Sequence, residues 1–477
     1  MSREQAIANT QAVFDDGRFL QTLARRVAWR TESQDPAGAP LLQGYLAEEI
    51  APALQALGFT TRLLPNPVTG KPPFLLAERR EPGAAFSVLS YGHGDVVRGY
   101  DAQWREGLSP WRLVVEGNRW YGRGTADNKG QHSINLAALE QVIALRGGRL
   151  GYDVKLLLEM GEEDGSPGLH ELCRREREAL RADLFLASDG PRVAAARPTL
   201  FLGSRGVFNF DLHLKLRDGA HHSGNWGGLL RNPGIRLAHA IASLVDAHGR
   251  ILVPGLRPRE LPESVRAALR DIEVGGDPGD PAIDPGWGEP GLTPAERVIG
   301  WNSLEVLAFT TGNPAMPVHA IPATARAHCH VRYVVGSEPE RFLDHLRAHL
   351  DAAGFDDVEL HGSELQMAAT RLDPDDAWVR WALASIERST AKRPALLPNL
   401  GGSLPNDVFA GILGLPTLWV PHSYPACSQH APGEHLLADV TREALGLMAG
   451  LFWDLAEEGP ALQRARVAAG LRTSTRD

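Results

Sequence analysis

Residues 84–97 read AAFSVLSYGHGDVV. The apolar run AAFSVLS has the length and texture of a buried strand, and it is followed at once by His93 and Asp95. Residues two apart in an extended strand project to the same face, so Asp95 can reach the His93 ring. A carboxylate on one ring nitrogen fixes the tautomer and turns the other nitrogen toward a metal. A His–Asp hydrogen bond that merely closes a strand end would use the same two residues. The surroundings of the pair therefore decide its meaning.

Working outward, FLLAER (74–79), VKLLLEM (154–160) and DLFLASD (183–189) are further short apolar runs, and NLAALEQVIALR (135–146) and GLHELCRREREAL (168–180) between them have helical spacing. That alternation predicts an α/β layer with buried, largely parallel strands. Upstream, 6–14, 19–29 and 41–59 read as amphipathic helices. After Arg205 the texture changes: VFNFDLHLKL (207–216) and ARAHCHVRYVV (325–335) alternate in period two, and each precedes a helical segment. This predicts a smaller α+β two-layer unit inserted into the first. The expected division is 1–205 and 369–477 for a discontinuous catalytic domain and 206–368 for an inserted lid. Within the lid, the Pro/Gly-rich stretch 251–312 reads as an insertion.

With 49 basic against 58 acidic residues and a net charge of -9, the chain lacks the basic footprint of nucleic-acid or anionic-membrane binding. Cys173, Cys329 and Cys427 form no CxxC pair, which suits a reducing compartment and argues against a disulfide framework or a thiolate zinc site. The N-terminal MSREQAIANTQAVFDDGRF is interrupted by charge every few residues and reads as neither signal peptide nor membrane span, so a cytoplasmic protein is expected.

Acids stand at the ends of the other elements too. YGRGTADNKG puts Asp127 in a glycine-flanked loop opening a helix, EMGEEDGSPG puts Glu162 and Glu163 after a strand, and LASDG puts Asp189 after another. CSQHAPGEH supplies His430 after the strand-like LPTLWVP. Singly, each acid would serve as a helix cap or turn residue. Together they stand where ligands gather in open α/β sheets, outside the carboxyl ends of the strands. Two zinc ions sharing a carboxylate need such an inventory of imidazoles, acids and a free base.

GHGDVV, YGRGTADNKG, GEEDGSPG, LASDG, HHSGNWGGLLRNP, RYVVG, GGSLP and QHAPGEH occur in this order. In that order they resemble the carnosinase, carboxypeptidase G and aminoacylase family of dinuclear zinc metallopeptidases. The resemblance covers nearly the whole chain apart from 251–312. It implies that Asp127 bridges two zinc ions, with His93 and Asp189 on one and Glu163 and His430 on the other. Manganese or cobalt would suit the same donors. It further implies Glu162 as general base, Asp95 as the carboxylate orienting His93, and a cis peptide at Asp127–Asn128.

On the second domain, His222 matches a histidine that stabilises the oxyanion, although His221 adjoins it. Arg332, Gly402 and Ser403 match groups that hold a substrate carboxylate. A homodimer is implied, with His222 and Arg332 contributed across the interface. Two departures stand out. Asn399 and Leu400 replace the Arg–Glu common before Gly–Gly–Ser, and Gly433 stands where asparagine is common. The expected function is hydrolysis of an amide bond in a small substrate with a free carboxylate, a dipeptide or C-terminal residue. An N-acyl amino acid deacylase or xenobiotic aryl-amide hydrolase would use the same residues. A noncatalytic binding relative would be expected to lose ligands or base, and none is lost here.

Overall fold

A computed structural model describes residues 1–275, 280–363 and 367–468. Parts of the expected insertion (276–279) and lid (364–366), and residues 469–477, lie outside the described residues.

Eight strands form the large sheet in the order Thr60–Leu64, Phe74–Arg79, Asp153–Glu159, Ser87–His93, Leu184–Ala187, Thr417–Trp419, Thr199–Phe201, Ala395–Leu397. Asp153–Glu159, Ser87–His93, Leu184–Ala187 and Thr417–Trp419 run parallel to one another, while both Phe74–Arg79 pairings and the Thr417–Trp419/Thr199–Phe201 pairing are antiparallel. The apolar runs are continuous because both faces are covered. Val154, Leu156, Leu158, Leu184 and Leu186 enter one core with the helices Lys129–Leu145, Ala377–Thr390 and Ala438–Ala468. Leu157, Phe185, Ala187 and Trp419 enter the other, with the helix Leu169–Arg175. The four parallel strands thus end side by side, at His93, Glu159, Ala187 and Trp419.

A second sheet, entirely antiparallel, has the order Ser303–Thr311, Thr324–Tyr333, Gly206–Lys215, Glu359–Gly362. Its inward residues, Phe208, Phe210, Leu212, Cys329 and Val331, pack with the helices Pro233–Leu244 and Phe342–Ala352 into a separate core. This is the two-layer α+β unit that the alternation predicts.

The stretch 251–312 behaves differently from a free insertion. Ser303–Thr311 is the edge strand of the lid sheet, and Val265, Leu269, Ala295 and Ile299 pack into the second core of the large sheet. Its prolines and glycines conceal apolar residues that find partners distant in sequence. No helix among the described residues is long and apolar enough to cross a membrane.

Candidate metal centre and active site

The ends of the parallel strands and the loop before Lys129–Leu145 converge on one buried cluster. His93, fully buried, directs Nε2 at Asp127 Oδ1 (3.0 Å) and Asp189 Oδ2 (3.6 Å). His430 Nε2 lies 3.0 Å from both Asp127 Oδ2 and Glu163 Oε2. Asp127 therefore belongs to two trios, His93–Asp127–Asp189 and Asp127–Glu163–His430, each with donor atoms close enough to share an ion. Ligand atoms on one tetrahedral ion lie roughly 3.3 Å apart, and these pairs span 3.0–3.6 Å. Asp189 Oδ2 is buried with no hydrogen-bond partner, an arrangement a cation would relieve.

The electrostatics agree with that fit. Burial, reinforced by the Asp127 charge, pushes Glu163 up to about 7 and Asp189 up to about 6. Burial also lifts Glu162 well above the usual carboxylate range, against the opposing charge of His93. Hydrogen bonds to Asp127 and Glu163 push His430 up to about 11. Protons here stand in for positive charge that a bound dication would supply.

Asp95 has a wider role than orienting one ring. His93 Nδ1 hydrogen-bonds the Asp95 backbone carbonyl (3.1 Å), with Asp95 Oδ1 3.3 Å away, and the two carboxylate oxygens accept the backbone N–H groups of Glu162 (3.2 Å) and Glu163 (3.1 Å). One residue thus holds the imidazole through its backbone carbonyl and the turn presenting the two glutamates through its carboxylate. The Asp127–Asn128 peptide is cis, as the resemblance implies.

Glu434 is the residue whose part went unread in the sequence. Its Oε1 accepts the N–H groups of Gly124 (3.0 Å), Ala126 (2.9 Å) and Asp127 (3.2 Å), while Oε2 takes Arg123 Nη1 at 2.7 Å. Just beyond it, His435–Leu437 pairs with Arg119–Tyr121, clamping the His430 loop to the Asp127 loop. Only its position in QHAPGEH, between a metal-ligand candidate and a strand, hinted at this. Gly433 has φ 83°, a conformation glycine and asparagine share, which accounts for that departure. Gln429 was also missed; its side-chain amide donates to Asp127 Oδ2.

A cavity of about 330 Å³ opens over the cluster, lined by Asp127, Glu162, Asp189, Gly402, Ser403 and His430 among others. Leu400 and Leu404 add apolar wall, and Tyr424 and Cys427 are absent from its lining. Asn399 Nδ2 donates to Ile299 O (2.8 Å), tying the Gly401–Ser403 segment to the helix Pro294–Gly300.

Arg332 Nη1 donates to Ser403 Oγ of its own chain at 2.6 Å. The expectation that Arg332 crosses to a partner's site is therefore corrected. The cause is register: Tyr333 pairs with Gly206, so this end of its strand is pinned at the hinge beside Arg205, whose carbonyl accepts Ser403 Oγ (2.7 Å). His222 lies beyond the opposite end, exposed and paired with Ala320. From Arg332 to Thr324 alone, the strand advances about 27 Å.

The profile of peptidase family M20/M25/M40 matches residues 89–454, a span that begins at the His93 strand and runs past His430. The chain belongs to this family. It is 35% identical over 273 residues to the Beta-Ala-His dipeptidase of Rattus norvegicus, covering 54% of each protein. It is 31% identical over 321 residues to the Cysteinylglycine-S-conjugate dipeptidase of Corynebacterium striatum, covering 64% of this chain and 68% of that one. The chain spans about half the length of the Beta-Ala-His dipeptidases it matches. Among solved structures, an M20 family metallo-carboxypeptidase from Sulfolobus solfataricus superposes with a TM-score of 0.79 at 25% identity, covering 92% of this chain and 99% of that one.

Proposed function

We propose that the chain is a dinuclear zinc peptidase that cleaves the amide bond of a small substrate carrying a free carboxylate. The observation that carries this reading is the pair of donor trios sharing Asp127, set beneath a cavity whose wall includes Ser403, held by Arg332. His93 and Asp189 would hold one ion and Glu163 and His430 the other, with Asp127 common to both. When bound, such ions would polarise the scissile carbonyl and lower the pKa of the attacking water.

Glu162 belongs to neither trio yet lines the cavity. It takes the proton from the attacking water and delivers it to the departing amine nitrogen. Arg332 and Ser403 grip the substrate carboxylate, and the backbone at Gly402 completes that wall. Replacing Arg332 with alanine should raise KM by about 100-fold, with a smaller effect on kcat. Steady-state kinetics on substrates with and without a free carboxylate checks this, because only the former should suffer.

Glu434 acts on the metal site through the backbone it holds. Glu434→Gln retains the shape but weakens the acceptor facing three N–H groups, so metal affinity should fall about 10- to 100-fold. Competition with a calibrated chelator reads this without turnover. Unchanged affinity would reduce Glu434 to a packing role.

The exposed edge strand Ser303–Thr311 supports a homodimer. Val306, Leu307 and Phe309 are 40%, 54% and 42% exposed on it. Nearby in sequence, Met316 and Val318 are 70% and 75% exposed. Pairing this lid face with a second copy would carry His222 of one protomer to its partner's cavity, where it donates to the oxyanion.

Leu400 and Leu404 in the cavity favour a second reading, an N-acyl amino acid or aryl amide as substrate. The test is a mixed panel of dipeptides, N-acyl amino acids and aryl amides, resolved by mass spectrometry, with metal-loaded and chelated protein side by side. Cleavage of one class, lost on chelation, is expected. Cleavage that survives complete metal removal would overturn the proposal.

A further inference from the structure

A second cavity, of about 340 Å³, lies behind the Gly401–Ser403 segment, where the chain passes between the two sheets. Arg205, Ile251, Trp287, Val298, Trp301 and Glu305 are among its walls. Its most unusual group is Arg205, only 8% exposed. The guanidinium donates to two backbone carbonyls, Gly401 O (2.7 Å) and Trp301 O (3.4 Å), and forms no ion pair among the described residues. A buried cation without a carboxylate is a costly arrangement. Burial, with Arg332 adding repulsion, draws Arg205 down to about 10.

Glu305 borders the same cavity from the lid strand. Its charge is felt at Arg205, yet the two make no ion pair. Arg297, Asp284 and Glu289 line the space as well. Arg297 donates to the Glu289 and Trp287 carbonyls and Glu289 pairs with Arg250, while Arg205 and Glu305 border the tryptophan and aliphatic walls with no ion pair between them.

We propose that this hinge cavity binds a free α-amino acid with an apolar side chain, its carboxylate on Arg205, its ammonium on Glu305 and its side chain against Trp287, Ile251 and Val298. A guanidinium and a carboxylate that are not paired with each other favour a zwitterion over a simple acid or amine, and the tryptophan and aliphatic walls favour an apolar side chain. That such amino acids are products of the neighbouring site rests on the peptidase reading; the binding rests on the cavity alone. Arg205 also joins the two sites, since Ser403 Oγ donates to its carbonyl and its own Nε holds Gly401. An amino acid seated here would bear on the segment that holds the substrate carboxylate.

Calorimetric titration of the metal-loaded protein with L-phenylalanine tests the site without turnover. The probes 3-phenylpropionate, lacking the ammonium, and phenylalanine amide, lacking the carboxylate, accompany it. Trp287 is half exposed and Glu305 lies on an edge strand, so W287A and E305Q should fold. Each variant, and each truncated probe on the wild type, is expected to bind about tenfold more weakly than the parent pair. Hydrolysis by the two variants without added amino acid should equal that of the wild type. Equal binding of L-phenylalanine by wild type and both variants would move it to the metal site and overturn the proposal, as would no binding at millimolar concentrations. Binding with the expected losses in a protein that hydrolyses no peptide would keep the cavity site and remove only its link to product.

Discussion

Glu162→Ala is expected to lower kcat by roughly 10³- to 10⁴-fold while leaving metal content unchanged. That corresponds to about 4–5.5 kcal/mol of barrier. The separation follows from geometry. Glu162 is outside both trios of donor atoms, whereas its neighbour Glu163 is within 3.0 Å of His430. Asp95 anchors the two adjacent N–H groups separately, so removing one side chain leaves the turn in place. Asp127→Ala should behave differently, losing metal and activity together, because Asp127 is common to both trios. Elemental analysis of each purified variant beside its kcat makes the comparison. Near-normal kcat in Glu162→Ala would assign the proton transfer to another group, and lost metal would make Glu162 a ligand.

The convergence of His93, Asp127, Glu163, Asp189 and His430 was legible because it is local information repeated. Each follows an apolar strand or opens a helix, and parallel strands must end on one edge. Pairing register was not legible. Arg332 sits in an alternating strand whose sequence gives no sign that Tyr333 faces Gly206, and that one pairing assigns Arg332 to its own chain. The packing of the stretch 251–312 was hidden for a related reason. Its composition reports turns, while the few residues that matter, Val265, Leu269, Ala295 and Ile299, are spaced by them and pack non-locally. Glu434 was hidden because its partners are backbone N–H groups, which carry no sequence signature.

Register also sets the second large effect. With His222 beyond the Thr324 end of the lid strand and Arg332 near the other, the two cannot serve one cavity from one chain without a large rearrangement. If His222 donates to the oxyanion of its partner's site, His222→Ala and Glu162→Ala should each be nearly inactive as homodimers, the former by about 10²- to 10³-fold. Mixed and re-associated in equal amounts, they should regain activity. A heterodimer holds one site with both lesions and one with neither, and random pairing makes half the dimers mixed, so recovery should reach about a quarter of wild type. Activity no greater than that of the two separate variants, in a sample shown to contain heterodimers, would return His222 to its own chain or to no role in the reaction. A charge placed on the exposed edge strand, Leu307→Lys, should abolish the recovery by preventing association, since it buries a lysine where two apolar edges meet. Light scattering on the same samples separates that outcome from a failure of chemistry, because Leu307 is remote from the metal ligands in the fold and its substitution should leave metal content intact.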